Sequence, residues 1–164
     1  MSRTDVGFLL AILAVGACES GSKQAPPATH GGPATTGPVR LVNAGAGEVA
    51  PLVAAAVAEA EQEHRRLLVY VGAVWCKPCE AFHDAAARGD LDTALPGLTL
   101  LTFDSDVDTE RLVAAGYESR LIPLFVVPGR DGRATARATS GARTGGDYVA
   151  ELVPRVQALF APEK

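Results

Sequence analysis

The sequence has few aromatic residues, few cysteines and little net charge. Aromatics are 5% of its 164 residues, so a core has to come mainly from the alanine, valine and leucine of a 48% hydrophobic composition. A net charge of -4, with acids and bases interspersed, argues against nucleic-acid binding, which needs a basic face. No apolar run reaches the roughly 20 residues that a membrane-spanning helix requires. There is no internal repeat, no dinucleotide-binding motif and no second cysteine pair. Any redox chemistry here must draw its electrons from another protein. The length suggests one domain with additional segments.

Arg3 precedes the apolar run "VGFLLAILAVGA", which ends at Cys18. The run is too short to span a bilayer stably and reads as the hydrophobic region of a signal peptide, residues 1–17. Its end, "VGAC", resembles a bacterial lipobox, with small Gly16 and Ala17 before the cysteine, although Asp5 departs from a purely basic start. That resemblance implies acylation of Cys18, a mature chain beginning there, and a lipid-anchored protein of the bacterial envelope facing the periplasm or exterior. An ordinary signal peptide with an incidental cysteine is the alternative. Two or more acyl chains anchor stably, each buried methylene adding about 0.8 kcal/mol. Three cysteines are an odd count for an exported protein. With lipid on Cys18, Cys76 and Cys79 remain as one pair in an oxidising compartment.

From Glu19 to Pro38 the chain has no valine, isoleucine, leucine, methionine or aromatic residue. Such a segment cannot bury enough surface to offset its ordering entropy, so residues 18–38 are expected to be a disordered tether, with His30 solvated. The folded domain is expected over 39–164. "VRLV" predicts a short strand, and Pro51 to Arg66 a helix with His64 as a dipole partner near its end. "LLVYVG" predicts a strand buried on both faces. A helix follows to about Arg88, then a strand over 98–103 and a short helix over 108–115 closed by Gly116. "LFVV" and "RATARATS" flank the turn "PGRDGR" as a hairpin. Asp147 to Phe160 predicts a last helix, bent or weakened by Pro154. This order describes an α/β fold, a central mixed β-sheet flanked by helices.

"WCKPC" follows a buried strand and opens a helix, "GYESRLIP" precedes the strand "LFVV", and "PGRDGR" leads into the last strand. Together, over about Val39 to Phe160, these features resemble the thioredoxin-fold thiol-disulfide oxidoreductases. The conjunction is more specific than the C-x-x-C alone. It implies a catalytic pair, Cys76 and Cys79, forming a redox-active disulfide without any other cofactor. It also implies a cis Ile122–Pro123 bond facing the cysteines, with Ile122 offering backbone groups to an extended substrate. A trans proline starting a strand is the plainer reading of Pro123.

The physical chemistry points the same way. Cys76 at a helix N-terminus meets unpaired N–H groups and the positive end of the dipole, and Lys77 adds a cation. Both lower a thiol below its free value of about 8.5, which makes Cys76 the nucleophile. Cys79, one turn on and more buried, is the resolving thiol. Pro78 stiffens the first turn without losing an intrahelical bond. Trp75 either shields the pair or fills the edge of the core.

Other readings of the pair stay open. A two-residue loop makes a weak structural staple, and a zinc site wants four ligands. Cys76, Cys79 and His83 have a spacing that suits copper, as in exported thioredoxin-fold copper chaperones; a non-catalytic binding module is a third reading. Departures from the family pattern are Tyr70, where a buried acid is usual, Leu124 where threonine is common after the proline, and Glu80 where lysine is common. Pro78 resembles reducing members, whereas Lys77 favours the thiolate and a higher potential. The resulting expectation is an enzyme that reduces or exchanges disulfides of exported proteins, supplied by a membrane thiol-electron donor or a thioredoxin-like one.

Overall fold

The computed structural model describes residues 37–143 and 145–162; the signal peptide, Cys18 and residues 19–36 of the expected tether lie outside them. In chain order the elements are β1 (Arg40–Asn43), α1 (Val49–Gln62), β2 (Arg66–Gly72), α2 (Lys77–Ala87), β3 (Leu98–Asp104), α3 (Ser105–Ala114), β4 (Leu124–Pro128), β5 (Ala134–Ser140) and α4 (Tyr148–Ala158). The sheet order is β1-β3-β2-β4-β5. β1 and β2 run parallel to β3, whereas β4 is antiparallel to both β2 and β5. This is the thioredoxin-like α/β arrangement, a mixed sheet between two helical layers.

The central strand explains its own position. β2 reads RLLVYVG and is buried from Leu67 to Gly72, as a strand covered on both faces must be. Leu68 and Tyr70 face α2 and α4 together with Leu98, Leu100 and Phe125. Leu67, Val69 and Val71 face α1 and α3 with Val53, Val57 and Phe103. The few aromatics are concentrated on the first face. Phe82 and Phe125 meet edge-on at 4.8 Å between ring centroids, and Tyr70 lies 5.2 Å from Phe125, directly beneath the cysteine motif.

Several boundaries differ from those the sequence suggests. Gly37 and Pro38 belong to the folded part: the Gly37 carbonyl accepts from Gly97 N–H at 2.8 Å, and Pro38 O accepts from Arg65 at 2.7 Å. α1 begins at Val49, which puts Pro51 third in the helix, and it stops at Gln62. His64 takes a left-handed φ of 53°, and the amides of His64 and Arg65 turn back onto Glu61 O and Ala60 O. That reversal is the helix-ending motif usually built on glycine. α3 begins at Ser105 rather than Asp108, because Asp104 is its N-cap and accepts from Asp106 N–H at 2.8 Å. Asp108 reaches back to take the Asp104 amide at 2.9 Å. α4 continues through Pro154.

Candidate functional site

β2 ends at Gly72, and four residues later the chain turns into α2 at Cys76. Cys76 is the N-cap of α2, and its sulfur accepts the Cys79 N–H at 3.3 Å. Pro78 occupies the first turn, where its missing N–H removes no helical hydrogen bond. Cys76 and Cys79 form a disulfide, with their Cα atoms 5.2 Å apart. The sulfur of Cys76 is therefore held where the helix directs its unpaired amides, an environment that stabilises an anion once the bond is reduced. Both cysteines are buried, Cys76 at 5% and Cys79 at 2% exposure, so the expected difference in depth between them is slight.

Two neighbours are placed differently from expectation. Trp75 does not fill the core edge. It is 64% exposed, and its indole N–H donates to Asp106 Oδ2 at 2.7 Å, fastening the motif loop to the start of α3. Lys77 spends its charge on Glu80, at 2.8 Å on the surface. That hydrogen bond and the Glu80 charge hold the Lys77 ammonium above its usual range. The cation next to Cys76 is thus already partnered, which weakens the pull it was expected to exert on the thiol.

Tyr70 does lie under the pair. Its hydroxyl donates to the Cys79 carbonyl at 3.1 Å, and burial pushes the phenol well above its ordinary value. The fit is close at Gly72, a residue the sequence reading did not single out. A Cβ there would stand 2.8 Å from the Tyr70 hydroxyl and 3.2 Å from the Cys79 Cβ. A glycine closing a buried strand just before the motif is the signal that marks it.

The Ile122–Pro123 bond is cis. Ile122 packs against the cluster that contains Cys76 and Cys79, and Pro123 is buried, with its carbonyl accepting from Gly141 N–H at 2.9 Å. Leu124, the residue after the proline, pairs with Val71 of β2 and with Ser140 of β5. The candidate metal set is not assembled. Among the described residues no three histidine, cysteine or acidic side chains converge to hold an ion, and His83 is half-exposed beside Asp84, at 3.7 Å.

A cleft of about 850 Å³ opens beyond the carboxyl ends of β1, β2 and β3. Tyr70, Gly72 and Cys79 border it on one side, and the loop after β1 and the first turns of α3 on the other. Arg111 holds that loop, donating to Gly45 O at 2.8 Å and Gly47 O at 3.0 Å while paired with Asp108 at 2.8 Å. Crevices at the carboxyl ends of parallel strands are where α/β sheets commonly place their chemistry.

No family model matches the sequence, and no curated protein matches it. Among solved structures the chain is similar to a mutant thioredoxin from Halobacterium salinarum NRC-1, with 16% identity and a TM-score of 0.44, covering 79% of this chain and 99% of that one. On its own geometry, a disulfide at a helix N-terminus in a thioredoxin-like sheet that also carries a cis proline fits a thiol–disulfide redox role.

Proposed function

We propose that this protein is a thiol–disulfide oxidoreductase of the bacterial cell envelope, held to a membrane by lipid on Cys18, that reduces or exchanges disulfides of exported proteins. The observation that carries the reading is the Cys76 sulfur capping α2, bonded both to Cys79 and to the Cys79 amide. In the reduced protein the Cys76 thiolate attacks a substrate disulfide, forming a mixed disulfide and releasing one substrate thiolate. Cys79 then attacks the Cys76 sulfur, closing the Cys76–Cys79 bond and releasing the second thiolate. Two electrons pass to the substrate. A membrane thiol-electron donor or a thioredoxin-like protein restores the dithiol.

Equilibration in glutathione buffers tests the direction. A reductase is expected to have a potential nearer to the roughly −270 mV of reducing proteins than to the roughly −120 mV of strong oxidants. A value near the latter would make the protein an oxidant and overturn the assignment. The anchor has its own test. Mass spectrometry of the protein isolated from bacterial membranes is expected to show a chain beginning at an acylated Cys18. An unmodified Cys18, or cleavage elsewhere, would remove the lipid from the account.

A further inference from the structure

The second step of this chemistry needs a base. Cys79 must lose its proton before it attacks Cys76, and a thiol buried to 2% exposure gives up a proton reluctantly. Tyr70 cannot take it. The phenol is already donating its own hydrogen to the Cys79 carbonyl, and burial keeps it neutral.

The cleft reaches Cys79 but is not bordered by Cys76 or Pro123. It therefore brings solvent alongside Cys79 on a side that neither Cys76 nor Pro123 borders. Besides Asp104, the ionisable groups around it are Glu80, His83 and Asp84 from α2, Asp108 and Arg111 from α3, and Tyr70 from β2. Glu80 is held by Lys77, and Asp108 by Arg111 and the Asp104 amide. His83 and Asp84 are half-exposed and lie beside each other on the outer part of α2.

Asp104 is placed differently. It is the register partner of Gly72 in the parallel β2–β3 pair, just as Thr102 is the partner of Tyr70. Paired residues project to the same face of a sheet, so Asp104 stands on the side that carries Tyr70 and α2. Gly72 brings Asp104 and Cys79 close: a Cβ on Gly72 would stand 3.2 Å from the Cys79 Cβ, with the Tyr70 hydroxyl filling the space directly above it. One carboxylate oxygen of Asp104 accepts the Asp106 amide, and no described residue donates to the other.

We propose that Asp104 is the proton acceptor for Cys79, acting through water in the cleft that both residues border. The inference rests on the thiol–disulfide reading above. In the step, the Asp104 carboxylate takes the Cys79 proton and the Cys79 thiolate bonds to the Cys76 sulfur. The bond from Cys76 to the substrate sulfur breaks, the substrate leaves as a thiolate carrying the electron pair, and the proton passes from Asp104 to solvent.

Asp104→Asn separates this role from capping, because asparagine caps a helix about as well as aspartate. The reduced full-length protein is mixed with a disulfide-linked, self-quenched fluorescent peptide pair, then acid-quenched at intervals and resolved by mass between pH 6 and 8.5. Formation of the mixed disulfide is expected to stay within about twofold of wild type. Its decay at pH 7 is expected to slow at least about tenfold, the low side of what a positioned base contributes. The deficit shrinks as pH rises, because hydroxide then takes the proton. Decay at the wild-type rate, or a deficit independent of pH, would overturn the proposal. So would a slowed decay in His83→Gln with Asp104→Asn unaffected, which assigns the proton to the imidazole. If wild type forms no mixed disulfide at all, the oxidoreductase reading fails first, and this inference with it.

Discussion

Cys76→Ser protein is expected to show no measurable disulfide turnover, while Cys79→Ser protein accumulates a covalent complex with its substrate. The two sulfurs share a bond, yet their positions are not equivalent. Cys76 caps α2 and accepts the Cys79 amide, so its thiolate is the one the helix terminus stabilises. Cys79 lies inside the first turn, at 2% exposure, with Tyr70 bonded to its carbonyl. The helix terminus, rather than a difference in depth, thus assigns the first attack to Cys76. Serine at 76 leaves no nucleophile, and turnover should fall by at least about 10³-fold, as expected when the attacking group itself is removed. Serine at 79 leaves the first attack intact and removes the second, so a stoichiometric mixed disulfide should build up on Cys76. Non-reducing gels and intact mass of the two variants incubated with a disulfide-bonded protein distinguish them. A complex trapped by Cys76→Ser instead would reverse the assigned roles.

Gly132→Ala should cost about 3 kcal/mol or more of stability. Gly132 lies in the turn between β4 and β5, where its φ is 73°. A Cβ there would stand 1.9 Å from Ala50 O and 2.7 Å from Ala54 N. Those atoms are backbone of α1, so no side-chain rotation relieves the overlap, and the hairpin turn or the helix must shift. A left-handed alanine alone costs roughly 1–2 kcal/mol, and overpacking typically adds about 1–3 kcal/mol. Gly145→Ala is the control. It has a similar φ of 91° with nothing within 4 Å of a new Cβ, so it should show the backbone cost alone. Urea unfolding of both variants checks the difference. Equal losses would mean that the hairpin does not seat on α1 as described.

The parts of the fold most legible in the sequence are those whose pattern has one physical solution. A continuous apolar run such as Leu67–Gly72 can be stable only when covered on both faces, and a C-x-P-C after it can open a helix because proline suits the first turn. Boundaries set by side-chain capping were harder to read. Asp104, Asp106 and Asp108 all suit a helix start, and only the bonds from the Asp106 amide to the Asp104 side chain and from the Asp104 amide to the Asp108 side chain select the first as cap. The end of α1 was hidden for a related reason, since histidine rather than glycine takes the left-handed position. Within the site, the adjacency of Cys76 and Cys79 followed from spacing, whereas the orientations of Trp75 and Lys77 depend on partners that spacing does not reveal. The cleft was illegible because its walls come from three separate stretches, 43–47, 70–84 and 102–111, brought together by the pairing of parallel strands.

Strand direction also determines which way the molecule faces. β1 enters the sheet at Arg40, in register with Thr99, and Gly37 and Pro38 lie against the turn at Gly97–Leu98. β2 runs parallel from Arg66, at that same pole, to Gly72 at the other, where the disulfide follows. Seven residues of strand separate the poles by roughly 20 Å. The polypeptide thus arrives at the base of the domain and carries its cysteines at the summit. A surface attached directly at Gly37 would have the disulfide pointing outward from it. α4 ends at the same base, where the Phe160 ring lies 4.6 Å from the Arg66 guanidinium, so an attachment following α4 would leave the sulfurs facing outward as well.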